Sequence, residues 1–230
     1  MKTRVLAPIA LAIALAGCQS DNASQVQTPI AAEQNIMKEN PFFSDFTTPY
    51  GIPPFEKIKK SHYLPAFEHG IKLNRAEIQA IANNNAAPTF ENTIEAMEKA
   101  GDFLNTVENV FFGLTGSMSD TEMRAIEKEI SPKLSALSDD ISLNPALFAR
   151  VKEVYQQRDK LNLRADQKTL LETTYKGFIR GGANLNEADK ASFRQLNEKI
   201  SALSLKFGEN LLHETNSFEM VIDNKADLAG

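Results

Sequence analysis

The 230-residue chain has one cysteine, three histidines and no surplus of positive charge, with 25 Lys and Arg against 30 Asp and Glu and a formal net charge of −5 at pH 7. A lone cysteine rules out an internal disulfide framework. The acidic balance offers no basic field to gather phosphates, so nucleic acid is not an expected partner. No Gly-x-Ser-x-Gly elbow and no Gly-Lys-Ser/Thr phosphate loop occurs, which removes common nucleophile and nucleotide sites.

The histidines do not make good the shortage of chemistry. His62 and His69 stand seven residues apart, about 10 Å along a straight helix, which is too far to share one zinc ion. His213-Glu214-Thr215-Asn216-Ser217 begins like the zinc-peptidase motif His-Glu-x-x-His, but its fifth position is Ser. The second metal ligand is missing, so no catalytic residue and no metal ligand is assigned. Asp139-Asp140, Glu127 and Glu129 read as solvated helix faces, and Gly181-Gly182 as a helix stop rather than a phosphate cradle.

What is present starts at the N-terminus. Lys2 and Arg4 precede an apolar run, Val5 to Leu15, which is too short to span a bilayer and has the form of an export signal. It ends in Leu15-Ala16-Gly17-Cys18, which resembles the lipobox of bacterial lipoproteins. The competing reading is an ordinary signal-peptidase site at Ala14-Leu15-Ala16. The lipobox reading accounts for an unpartnered thiol in an oxidising compartment. It makes 1–17 a signal peptide and Cys18 the lipid attachment site, with each buried acyl methylene contributing about 0.8 kcal/mol to membrane anchoring. Gln19 after the cysteine favours the outer membrane under the Gram-negative sorting rule, so the expected location is the cell envelope, facing the periplasm.

Residues 18–40, rich in Gln, Asn, Ser and Ala, read as a flexible tether. From 41 to 230 the chain reads as one mainly α domain. Pro41 to Pro54 contains four prolines among Phe42, Phe43, Phe46 and Tyr50, which predicts an extended aromatic strap continuing to Phe55. Leu64, Phe67, Ile71, Ile78 and Ile81 recur at helical steps, with only Asn74 missing from the row. Thr89 is a cap for a second helix carrying Phe90, Ile94, Met97, Gly101, Leu104, Val107, Phe111 and Leu114 to about Gly116. Ser119 and Glu122 have capping-box spacing for a third helix through Met123, Ile126, Ile130, Leu134 and Leu137, with a kink expected at Pro132.

Asn144-Pro145 opens a fourth helix, lined by Leu147, Val151, Val154 and Leu161. A fifth spans about Ala165 to Arg180. Asn186 and Asp189 open the longest, whose Phe193, Leu196, Ile200, Leu203, Phe207 and Leu211 form a face expected to be core. Phe218, Met220 and Ile222 then alternate with Glu219 and Val221, the pattern of a short strand. An isolated strand is unstable without sheet partners, so its partner, and the rest of the protein, is expected beyond Gly230.

Several phrases resemble the N-terminal half of the thimet oligopeptidase and peptidyl-dipeptidase family, especially its dipeptidyl carboxypeptidase branch. They are Asn40-Pro41-Phe42, His62-Tyr63-Leu64-Pro65-Ala66-Phe67, and Ala87-Pro88-Thr89-Phe90-Glu91-Asn92-Thr93-Ile94, the most specific of the set. Leu143-Asn144-Pro145-Ala146-Leu147-Phe148, Leu170-Leu171-Glu172-Thr173-Thr174-Tyr175-Lys176-Gly177-Phe178, Arg180-Gly181-Gly182-Ala183 and Phe207-Gly208-Glu209-Asn210 extend it. The resemblance implies packed antiparallel helices forming one wall of a zinc oligopeptidase channel. It further implies that the full-length protein hydrolyses short peptides with a zinc ion whose ligands are not in this fragment, and that the partner of this part is the missing C-terminal catalytic part of the same chain. Whether such an enzyme removes C-terminal dipeptides or cuts internally stays open. The other reading is a self-sufficient helical envelope lipoprotein acting as a binding or scaffold module.

Mass spectrometry of the mature protein is expected to find an acylated N-terminal Cys18, and Cys18→Ala to abolish membrane association. A mature protein retaining Gly17, or unchanged fractionation of the variant, overturns the lipid anchor.

Overall fold

The structure, a computed structural model, describes residues 37–228. The export signal, Cys18 and most of the tether lie outside the described residues. Asn40, at the tether's end, is already buried. Its side-chain amide donates to the His62 carbonyl at 2.8 Å, and its Oδ1 accepts from the Phe42 amide at 3.2 Å. That pair of bonds pins the start of the strap. Phe42 packs on Tyr63, and Phe43 on His69 and Phe103. Prolines limit the strap's regular structure to single 3-10 turns at Pro41–Phe43 and Pro49–Gly51. Its second half departs from the expected aromatic burial, because Tyr50 and Phe55 are exposed.

Helix α1 (Tyr63–Ala82) buries Tyr63, Ala66, Phe67, Gly70, Ile71, Asn74, Ile78 and Ile81, the three- and four-residue spacing of one helix face. Its first half meets α3 (Asp102–Met118) and α4 (Thr121–Ser142) around Phe67, Val107, Phe111, Ile126 and Ile130. Its second half meets the π-helical turn Phe90–Glu95 that leads into α2 (Ala96–Lys99), and α5 (Pro145–Gln156). There Ile78 and Ile81 join Ile94, Leu147, Val151 and Val154, together with Leu171 and Phe178 from α6 (Ala165–Arg180). The result is two adjoining hydrophobic cores with α1 common to both.

The row of apolar residues expected to run unbroken from Phe90 to Leu114 is interrupted. Ala100 is extended and Gly101 is left-handed at φ 86°, so the chain turns and restarts as α3. The cause lies across the interface in the gap left by Asn74. A Cβ on Gly101 would stand 2.0 Å from the Asn74 Nδ2, so only glycine supplies both the backbone angle and the space. The Gly101 amide donates to the Glu77 carboxylate at 2.8 Å. Asn74 is therefore a matched part of this joint and not a defect in the row.

Caps fall as expected at Thr89, Asn144 and Asn186, whose side chains accept from Asn92, Leu147 and Asp189 amides at 3.1, 3.0 and 2.9 Å. At the third start, however, Asp120 and not Ser119 is the cap, accepting from the Met123 amide at 3.0 Å and pairing with Lys60. A carboxylate in that place also meets the positive end of α4. Helix α4 continues through Pro132 to Ser142. Helix α5 stops at Gln156, so Leu161 packs from the following turn. Gly182, at φ 88°, ends α6 as expected.

Two expectations fail near the C-terminus. Helix α7 (Glu187–Ser217) forms, at 31 residues, but the apolar face expected to be core points outward, with Ile200 59% and Leu203 65% exposed. The face seated on α4 carries Lys190, Phe193, Asn197, Ser201 and Leu205, mostly polar, because α4 offers carboxylates there. Residues 218–222 form no strand, and Phe218, Met220 and Val221 are exposed. Among the described residues no second strand exists to satisfy their backbone groups, which is what an alternating pattern needs to become a ladder.

Gly101→Ala should destabilise the fold by about 2–4 kcal/mol, combining a left-handed penalty with overpacking against Asn74. Chemical denaturation measures it, and Gly113→Ala, whose added Cβ meets nothing within 4 Å, should be near neutral or stabilising.

Candidate functional site

The residues singled out as possible chemistry scatter over the surface instead of converging. His62 sits at the entry to α1, its Nδ1 accepting from the Lys59 amide at 3.0 Å. Burial, helped by the charge of Lys59, holds its imidazole below the usual value and so favours the neutral, accepting form. His69 packs edge-on against Phe43 and Phe103. His213 is 81% exposed on α7, 3.7 Å from Glu214, and Ser217 stands where a second ligand would be needed. Among the described residues no group of three His, Cys, Asp or Glu side chains could hold a metal ion. His62, His69 and His213 thus share no donor set with one another among the described residues.

The carboxylates read as solvated divide on inspection. Glu129 is exposed and pairs with Lys133 at 3.0 Å, within one helical turn. Asp139 is buried, against expectation, and accepts from the Asn197 amide at 2.6 Å. Asp140 receives Arg75 from α1 at 2.8 Å and Arg194 from α7 at 2.9 Å. This adjacent pair is therefore the seat of α7. Sequence reasoning saw two acids on a helix; their partners lie more than 50 residues away in either direction and gave no local signal. Glu127 is partly buried beside a groove between α4 and the later turns of α7, lined also by Arg124, Gly208, Glu209 and Leu212. Burial, and next the charge of Glu209, pushes its carboxyl above the usual range.

The phrase Ala87-Pro88-Thr89-Phe90-Glu91-Asn92-Thr93-Ile94 has a structural explanation. Asn92 Oδ1 accepts from the Thr89 amide at 2.8 Å and the Thr93 hydroxyl at 2.9 Å, while its Nδ2 donates to the Ala87 carbonyl at 2.9 Å. Arg150, buried on α5, donates to the same Oδ1 at 2.9 Å and to the Asn84 and Ala86 carbonyls at 2.7 and 3.0 Å. Phe90 and Ile94 fill the second core below. The motif is thus a clamp that fixes the loop after α1 to α5. Arg150 was not singled out from the sequence, since a lone arginine in an amphipathic helix resembles any solvated charge.

The surface left open is the outer row of α7: Leu196, Ile200, Leu203, Phe207 and Leu211, all more than half exposed. The arrangement presents a continuous apolar row on the outer side of α7.

No family model matches the chain. Among curated proteins it is 40% identical over 194 residues to the dipeptidyl carboxypeptidase of Salmonella typhimurium, covering 84% of this chain and 28% of the relative. It is 40% identical over 191 residues to the dipeptidyl carboxypeptidase of Escherichia coli, covering 83% and 28%. Oligopeptidase A of Haemophilus influenzae is 27% identical over 180 residues, covering 78% and 26%. The chain thus spans just over a quarter of the length of these relatives, in their N-terminal part.

Arg150→Ala should cost about 1.5–3 kcal/mol, because three acceptors lose a buried, charged donor at once. Arg150→Lys should recover only part, since an ammonium cannot reproduce the planar fork. Urea midpoints of the two variants test this, and equal stability of Arg150→Ala and the parent would remove the clamp.

Proposed function

We propose, from the premise that this chain resembles the N-terminal part of the thimet oligopeptidase and peptidyl-dipeptidase family, that it is the non-catalytic helical portion of an exported, zinc-dependent oligopeptidase. The observation that carries the reading is the 40% identity to dipeptidyl carboxypeptidases over four-fifths of the chain. Identity at that level supports a shared fold, and the activity is proposed for a full-length protein of which the matched stretch of the relatives is just over a quarter. Short peptides are the substrate class, taken from the relatives' names. The helical body forms one wall of the channel that admits them, and zinc with its ligands belongs to the remainder of the full-length protein.

The same proposal places the protein at the cell envelope, held through Cys18 and most simply at the outer membrane with the body in the periplasm. Its support is the sequence from Lys2 to Gln19. A lipid-anchored envelope scaffold without peptidase activity is the reading that takes over if catalysis is absent from the full-length protein.

Purified as the 230-residue chain, the protein should bind no stoichiometric zinc and release nothing from a short peptide with a free C-terminal carboxylate. The full-length protein should hydrolyse that peptide and lose activity to a chelator. Hydrolysis by the 230-residue chain alone, or none by the full-length protein, overturns the proposal.

A further inference from the structure

We infer that the outer row of α7 is the docking surface for the remainder of the full-length protein, and that it receives an apolar face bordered by carboxylates. The inference rests on the reading of this chain as part of a longer peptidase, and adds where the two parts meet and by what chemistry.

Leu196, Ile200, Leu203 and Phe207 follow one another at steps of four, three and four, the spacing of a continuous seam, and Leu211 extends it. At about 1.5 Å per residue this row is some 22 Å long. Side chains of this size, 55–70% exposed along one straight line, are more than the scattered surface apolar residues of an ordinary monomer. Rolling α7 inward would not cure the exposure. It would pull Asn197 from Asp139, Arg194 from Asp140 and Lys190 from its buried site, leaving charged and polar groups unpaired. The helix is thus held by its polar side, and its apolar side needs another body.

Charge decides which body. At 100° per residue, Lys199 and Lys206 flank the row on the side away from α4, and neither forms an ion pair among the described residues. Within the span of the row the acids Glu198 and Glu209 lie on the far side of the helix, and Asp189 and Glu214 stand in line with it only beyond its two ends. An antiparallel second copy seated on the row would bring Lys199 of one helix towards Lys206 of the other, an arrangement that like charges oppose. A surface with Asp or Glu beside its apolar residues is complementary instead. The relatives are more than three times the length that this chain covers, so the remainder is large enough to supply it.

The test compares two proteins, the full-length chain and the 230-residue chain, each as parent, Leu203→Asp, and Lys199→Glu with Lys206→Glu. Thermal midpoints and sedimentation are read, and peptide hydrolysis is scored separately. Leu203→Asp should lower the full-length midpoint by several degrees and leave the 230-residue chain unchanged. The double charge reversal should lower the full-length midpoint in low salt, with the loss shrinking at high salt. An unchanged full-length midpoint, or an equal loss in the 230-residue chain, overturns the docking surface. A dimer of both proteins that Leu203→Asp dissociates assigns the row to a second copy and also overturns it. The differential loss in a full-length protein that cleaves no peptide supports the docking and rejects only the peptidase reading.

Discussion

Helix α1 must be buried from two directions at once, and the rest of the fold is arranged to satisfy that requirement. Phe67 and Ile71 face α3 and α4, whereas Ile78 and Ile81 face the π-helical turn and α5. Between the two sets Asn74 meets Gly101, where the chain must leave one core and start the other. A larger residue at 101, or a second core built elsewhere, would separate these halves. Hydrophobic burial supplies the driving force in both cores, at about 25 cal/mol per Å², but the polar joint fixes how they are set against each other.

Much of this was legible in the sequence, and the gaps have physical causes. Start signals such as Thr89, Asn144 and Asn186 act within one turn, so their meaning survives without tertiary knowledge. The α7 face departs from expectation because periodicity shows that a helix has an apolar side, and not which body that side meets. The competing side, with Lys190, Asn197 and Ser201, looked like solvent until Asp139 and Asp140 were placed opposite it. Residues 218–222 have strand composition, but a strand is a property of at least two segments.

The most specific phrase of the family resemblance proved to be architecture. Its Asn92 ties Thr89, Thr93, Ala87 and Arg150 into one turn, with Phe90 and Ile94 anchoring it below. Recognition by such a phrase identifies a way of building a helical body. Every polar contact that the Asn92 side chain makes is spent on holding the turn together and to α5.

The Arg150 clamp and the seat of α7 differ in how they answer to dissolved salt. Around Arg150 the cation is buried and every acceptor is an amide carbonyl oxygen, so no exposed ion pair is there to be screened. Beneath α7, Asp140 meets Arg75 and Arg194 at the surface, with side chains 41–48% exposed, where counter-ions reach the pairs and weaken them. Raised ionic strength therefore works on this body from one end, loosening the seat of the long helix while the corner around α5 keeps its bonds.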